Sequence, residues 1–140
     1  MKRTLCLIFI TACILSFVAC AYTGNILYSE ALISGTYQKI TAEEAWMMMQ
    51  ASHVTIVDVR TAEEYAEEHI SNAILLPNES IGTQPPETLP DLDAVLLVYC
   101  RTGVRSRQAA NKLIQMGYRH VYDFGGITSW PYETVQDTEK

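Results

Sequence analysis

The sequence predicts an α/β domain with a central parallel sheet and helices on both faces. Apolar segments of strand length alternate with helical segments, an order typical of parallel sheets. The most apolar strand candidate, residues 94–99, lacks the polar alternation of a half-exposed strand, as expected for the centre of such a sheet. Capping residues mark where two of the helices begin, so the elements can be placed in order.

Two helices in the first half of the domain are marked by capping boxes. In this motif a threonine hydroxyl accepts from the amide three residues later, and the glutamate there reaches back. The pairs are Thr41 with Glu44 and Thr61 with Glu64. The second helix is predicted to end near residue 68. The first is predicted to bury Ala45, Trp46 and Met49.

Short apolar segments predict the other strands, at residues 37–40, 53–59, 74–76 and 121–124. The third of these strands ends at Pro77. Residues 78–93 contain three prolines and predict an irregular connection. A last helix is predicted over residues 105–116, where Gly117 stops it.

Residues 1–20 have the three-part pattern of a secretory signal, with Lys2 and Arg3 before an uncharged apolar run. The run is short for a membrane span of about 20 residues, although an uncleaved anchor stays open. Its end, Phe17-Val18-Ala19-Cys20, resembles a bacterial lipobox. We therefore expect lipidation at Cys20 and an exported domain anchored on the extracytoplasmic side of the cell membrane. Cleavage after Ala21 is the alternative, and would give a secreted or periplasmic soluble domain.

These features divide the chain into four parts: a signal at residues 1–20, a tether at 21–36, the domain at 37–134 and a C-terminal tail at 135–140. The formal net charge is −6, and removal of the signal would make it more negative because Lys2 and Arg3 are lost. Nucleic-acid binding selects basic patches, so we expect no nucleic-acid partner.

Cys100 is the candidate nucleophile. It follows the central strand, precedes a helix, and is flanked by Arg101 and Arg105. A helix N-terminus and nearby cations lower the pKa of a thiol, so this position favours a reactive thiolate over a structural thiol. Gly103 permits a tight loop, whose amides can converge on an anion.

Several segments, in order, resemble the single-domain rhodaneses, which are sulfurtransferases. The loop segment is Cys100-Arg101-x-Gly103-x-Arg105-Ser106. The others are Asp58-Val59-Arg60-Thr61 with Glu64-Tyr65, His69-Ile70-x-x-Ala73 with Pro77, Gly117-Tyr118, Val121-Tyr122, and Gly125-Gly126-Ile127 with Trp130. The resemblance covers most of the chain after the signal and implies a rhodanese-like fold.

The resemblance also implies a mechanism. Cys100 would take a sulfur from a small anionic donor such as thiosulfate and pass it to a thiol or cyanide acceptor through a persulfide. Arg105 would bind the donor's anionic end, with help from Arg101. The substrate-binding loop would comprise Arg101, Thr102, Gly103, Val104, Arg105 and Ser106. No cofactor is expected, and the domain is expected to be a monomer.

Other readings of the sequence are open. A rhodanese-like module could bind partners or carry a persulfide without catalysis, although the cysteine and both loop arginines are present. A cysteine phosphatase requires Cys-x5-Arg, but Ser106 occupies the arginine position and Tyr99 replaces the usual preceding histidine.

Several polar and aromatic residues are predicted to have structural roles. Asp58 and Arg60 should form an ion pair that supports the loop, and His69 should be a hydrogen-bonding residue near a helix end. Trp46 and Trp130 are predicted to lie in the core. His53 and His120 lack ligand spacing, so no metal site is predicted.

Overall fold

The computed structural model describes residues 35–137. Within them a five-stranded sheet has the order β1-β5-β4-β2-β3, and every neighbouring pair is parallel. The strands are β1 (Gln38–Lys39), β2 (Thr55–Asp58), β3 (Ile74–Leu75), β4 (Val95–Cys100) and β5 (His120–Gly126). The most apolar segment therefore forms the central strand β4, as predicted.

The helices are α1 (Ala42–Ala51), α2 (Ala62–Glu67) and α3 (Val104–Gln115), with 3-10 turns at Asn78–Ser80 and Ile127–Ser129. Both capping boxes are confirmed. The Thr41 hydroxyl accepts from the Glu44 amide at 3.1 Å, and the Glu44 carboxylate accepts from the Thr41 amide at 2.7 Å. At the C-terminal end of α3, Gly117 adopts a φ of 102°, which confirms its role as the stop.

The helices cover both faces of the sheet, which confirms the predicted fold class. On one face, Ala109, Ala110 and Leu113 of α3 pack against alternate residues of β2 and β4. On the other face, Ala45 of α1 and Tyr65 of α2 pack in a second cluster. Cys100 belongs to the cluster on the α3 face of the sheet, so the last side chain of β4 lies beneath the start of that helix.

The predicted burial of Trp46 is wrong. Its side chain is 36% exposed, whereas Ala45 is fully buried and Met49 is half-buried. The Trp46 ring stacks on Tyr132 at a centroid distance of 4.4 Å and makes an edge contact with Trp130 at 6.2 Å. Trp130, in contrast, is buried as predicted.

The folded region continues past residue 134, the boundary expected from the sequence. Val135 pairs with His69 in an antiparallel bridge, with both N–H···O distances at 2.8 Å. The Asp137 amide donates to the Ala66 carbonyl at 3.1 Å. Residues 135–137 are thus bonded to the domain and are not a separate tail.

The signal prediction and Cys20 lie outside the described residues, and both stay predictions. None of the helices within residues 35–137 is long and apolar enough to cross a membrane.

Candidate active site

The site lies at the edge of the sheet where the parallel strands end. Cys100 is the last residue of β4, and α3 begins at Val104 after a three-residue loop. The loop lies close against β5, because a Cβ on Gly126 would be 2.2 Å from the Arg101 carbonyl oxygen. Thr128 donates to the same oxygen from its amide at 3.3 Å and its hydroxyl at 2.9 Å. These contacts fix the backbone immediately after the cysteine.

The sulfur of Cys100 is buried and surrounded by hydrogen-bonding groups. The Gly103 amide donates to Sγ at 3.1 Å, and the thiol donates to the Ser106 hydroxyl at 3.7 Å. Burial alone would raise the pKa of the thiol, but hydrogen bonds led by the Ser106 and Gly103 amides outweigh it and lower the pKa. Backbone amides, more than the arginine charges expected from the sequence, therefore favour the thiolate.

A buried carboxylate supports the far side of the loop. Asp123 is fully buried, and Oδ1 accepts from the Ser106 hydroxyl at 2.7 Å and from the Gly125 amide at 2.9 Å. The Tyr37 hydroxyl donates to Oδ2 at 2.7 Å, and burial together with this hydrogen bond raises the pKa of Tyr37 to about 12. Sequence reasoning missed Asp123, although an acid inside an apolar strand was an available signal.

Arg105 is engaged by a residue of α2. Its Nη1 and Nη2 donate to the two carboxylate oxygens of Glu64 at 2.7 and 2.8 Å. The Arg105 guanidinium lowers the pKa of Glu64 to about 2. The sequence predicts a capping role for Glu64 and places it in a segment that resembles the rhodaneses, but nothing in the sequence relates the first turn of α2 to the start of α3.

The remaining loop residues differ in exposure. Arg101, Thr102 and Val104 are exposed, Gly103 and Arg105 are half-buried, and Ser106 is buried. A cavity of about 460 Å³ lies beside the loop. Its lining residues are Arg60, Glu64, Glu67, Glu68, Arg101, Ile127, Thr128 and Gln136. This volume can admit a small donor or acceptor next to Arg101.

Asp58 and Arg60 form a buried ion pair with Oδ2 and Nη2 2.6 Å apart. Nη2 of Arg60 also donates to the Glu68 carbonyl at 2.5 Å, and the guanidinium lies 5.7 Å from the centre of the Tyr99 ring. The pair therefore connects the ends of β2 and α2 and packs against β4.

His69 has the structural role predicted for it. Its Nδ1 lies 2.8 Å from the Tyr65 carbonyl oxygen, and its ring stacks on Tyr65 at 3.8 Å. In the part of the chain that the structure describes, no group of three or more His, Cys, Asp or Glu side chains is arranged to hold a metal ion.

Comparison with known proteins matches residues 41–132 to the rhodanese-like domain family. The chain is 35% identical over 95 residues to the thiosulfate sulfurtransferase GlpE of Coxiella burnetii, which covers 67% of this chain and 87% of the relative. It is 33% identical over 109 residues to the GlpE of Actinobacillus pleuropneumoniae, which covers 74% of this chain and 99% of the relative.

Solved structures of rhodaneses and rhodanese-like domains also resemble this chain. A rhodanese with anions from E. coli is 33% identical, with a TM-score of 0.55, over 60% of this chain and 99% of that one. A rhodanese-like domain protein from Staphylococcus aureus is 32% identical, with a TM-score of 0.62, over 72% of this chain and 99% of that one. Together with the buried cysteine in its amide-lined loop, these matches establish that the chain belongs to the rhodanese-like family, as a sulfurtransferase of the rhodanese type.

Proposed function

We propose that the enzyme moves a sulfane sulfur from thiosulfate, or a similar anionic donor, to a thiol or cyanide through a persulfide on Cys100. The relatives from C. burnetii and A. pleuropneumoniae are named thiosulfate sulfurtransferases, which supports this donor. The observation that carries the proposal is the 3.1 Å hydrogen bond from the Gly103 amide to Sγ, within a loop that lowers the pKa of the thiol.

The reaction has two balanced steps. The Cys100 thiolate forms a bond to the outer sulfur of thiosulfate, the bond between the two donor sulfurs breaks, and its electron pair leaves with sulfite. The product is a deprotonated persulfide on Cys100. An acceptor such as cyanide then bonds to the outer sulfur, thiocyanate leaves, and the thiolate returns.

Loop amides from residues 101–106 would hold the negative charge of the persulfide, since backbone N–H groups that converge on one point bind anions. Arg105 would bind the sulfonate end of the donor, and Arg101 would assist from the rim of the cavity. Two anions repel each other by about 4 kcal/mol at 4 Å with an effective dielectric of 20, and the charge of Arg101 together with the loop amides would offset part of this repulsion.

The experiment is an intact-mass measurement of the purified protein before and after thiosulfate, beside Cys100→Ser. We expect the wild type alone to gain one sulfur atom, and cyanide to remove it as thiocyanate. A folded protein with an alkylatable thiol and no sulfur gain would instead favour a non-catalytic binding module.

We also propose that the enzyme works as a monomer outside the cytoplasm, attached to the membrane by a lipid on Cys20. The basic start, the uncharged run and the Ala19-Cys20 junction support this localisation. Detergent partitioning of the full chain with and without Cys20→Ala tests it. Identical partitioning would favour the secreted or periplasmic soluble alternative.

A further inference from the structure

Arg105, the proposed donor-binding cation, is part of a closed ion pair. Both of its terminal nitrogens donate to Glu64, and the two side chains are only 25% and 22% exposed. Two parallel hydrogen bonds give this pair a defined geometry, unlike a mobile surface contact. The guanidinium therefore meets a donor as one half of a pair with no net charge.

Glu64 is held in place by the start of α2. Its Oε2 accepts from the Thr61 amide at 3.1 Å as well as from Nη1 of Arg105 at 2.7 Å. Turning away from Arg105 would also break the bond to the Thr61 amide, so the capping box favours the orientation that pairs with Arg105. The carboxylate is thus a fixed component of the electrostatics around the loop.

The pair is close enough to the nucleophile to affect the donor. Arg105 directly precedes Ser106, whose hydroxyl lies 3.7 Å from Sγ of Cys100. The pKa of Arg105 is raised first by its hydrogen bonds to Glu64, and the charge of Cys100 also contributes. A donor that presents its outer sulfur to Cys100 is therefore within the electrostatic range of both Arg105 and Glu64. The attraction of the donor to the loop depends on the combined charge of Arg105 and Glu64, which is close to zero. A second negative charge on the donor therefore adds little to this attraction.

We infer that Glu64 is a specificity-determining residue, which holds Arg105 in a neutral pair and so limits the preference of the loop for doubly charged donors over singly charged ones. The inference rests on the proposed function, in which Arg105 binds the donor. It predicts that the wild type discriminates little between the dianion thiosulfate and a singly charged donor with the same reacting sulfur.

The inference can be tested with two donors that present the same reacting sulfur and differ in charge. Thiosulfate carries two negative charges, and methanethiosulfonate carries one because a methyl group replaces an oxygen. In each case Cys100 bonds to the outer sulfur and the sulfur–sulfur bond of the donor breaks, with its electron pair leaving on sulfite or methanesulfinate. The readout is the ratio of kcat/KM for thiosulfate to that for methanethiosulfonate, with cyanide as the acceptor.

Glu64→Gln is the test variant, because glutamine also completes a capping box while it removes the charge. We expect the ratio to rise about tenfold, the equivalent of about 1.4 kcal/mol. Glu63→Gln is the matched control, since it removes the same charge from the same turn but does not contact Arg105. We expect its ratio to equal that of the wild type.

An unchanged ratio in folded, active Glu64→Gln would overturn the inference and leave the proposed function standing. Failure of the wild type to accept sulfur from either donor would overturn both. If the variant does not fold, competitive inhibition of the wild type by sulfate and methanesulfonate decides the matter. Comparable inhibition by the two supports the inference, and tenfold tighter binding of sulfate overturns it.

Discussion

The Gly103 amide nitrogen lies 3.1 Å from Sγ of Cys100. This contact depends on a left-handed backbone, because Gly103 has a φ of 98° as it precedes the first residue of α3. Few residues other than glycine adopt this conformation without strain. Stabilisation of the thiolate is therefore built into the path of the main chain.

Gly103→Ala should slow alkylation of Cys100 at neutral pH and reduce sulfur transfer. The added Cβ has room, since its nearest neighbour is the Gly125 Cα at 3.4 Å, but it strains the left-handed backbone. We expect the loop to relax away from this conformation and to move the Gly103 amide away from Sγ. Gly117→Ala is the control, since Gly117 has a φ of 102° but lies at the far end of α3. Both variants should lose about 1–2 kcal/mol of stability, because alanine is strained in the left-handed conformation. Equal alkylation rates in the two would contradict the prediction.

The pH dependence of alkylation should report a thiol that ionises below its ordinary pKa of about 8.5. Since amides carry most of the stabilisation, the midpoint should move little between low and high salt, and little in Arg101→Ala. Rates of reaction with iodoacetamide across the pH range measure this midpoint. A large salt-dependent shift would instead assign the effect to the arginine charges.

The fold and the loop that contains Cys100 could both be predicted from the sequence, because both depend on local patterns. Capping residues, apolar strands and a glycine-containing turn are readable without knowledge of tertiary contacts. Glu64 and Asp123 were missed as partners of the loop, because Arg105 and Ser106 reach them across 41 and 17 positions of the chain. The exposure of Trp46 was not predicted, because helical periodicity shows which residues share a face but not how much of a large side chain is covered there.

Asp123→Ala should destabilise the domain by about 3 kcal/mol or more. It leaves the Tyr37 hydroxyl and the Gly125 amide without their acceptor, and leaves the Ser106 hydroxyl only its longer bond to the Gly125 carbonyl at 3.3 Å. Each unpaired buried group costs about 1–3 kcal/mol. Tyr37→Phe removes only one of these bonds and should cost about 1 kcal/mol. Urea unfolding of the three proteins gives both values. A similar loss of unfolding free energy in Asp123→Ala and Tyr37→Phe would contradict the prediction that Asp123 stabilises the domain through several groups at once.

The ion pair between Glu64 and Arg105 should make stability depend on pH in the acid range. The pKa of Glu64 falls from 4.5 to about 2 on folding, so its contribution is complete above pH 4.5 and is lost as the pH falls to about 2. Allowing for solvent screening, we expect wild type to exceed Glu64→Gln by about 2 kcal/mol at neutral pH and by almost nothing near pH 2. Urea unfolding at a series of pH values checks this. A difference that stays constant with pH would argue against the pair.

Because β4 pairs irregularly with β5, the number of residues at the end of β5 is as important as their identity. Val98 pairs with Asp123 but Tyr99 pairs with Gly125, so β5 contains one extra residue, Phe124. Deleting Phe124 would remove the irregularity together with a buried side chain. Deleting Gly125 or Gly126 while the irregularity is kept would place Ile127 opposite Cys100, where the Arg101 carbonyl leaves no room for a Cβ. We therefore expect natural variation here to consist of substitutions and not of insertions or deletions, and sequence alignments should keep this interval free of gaps.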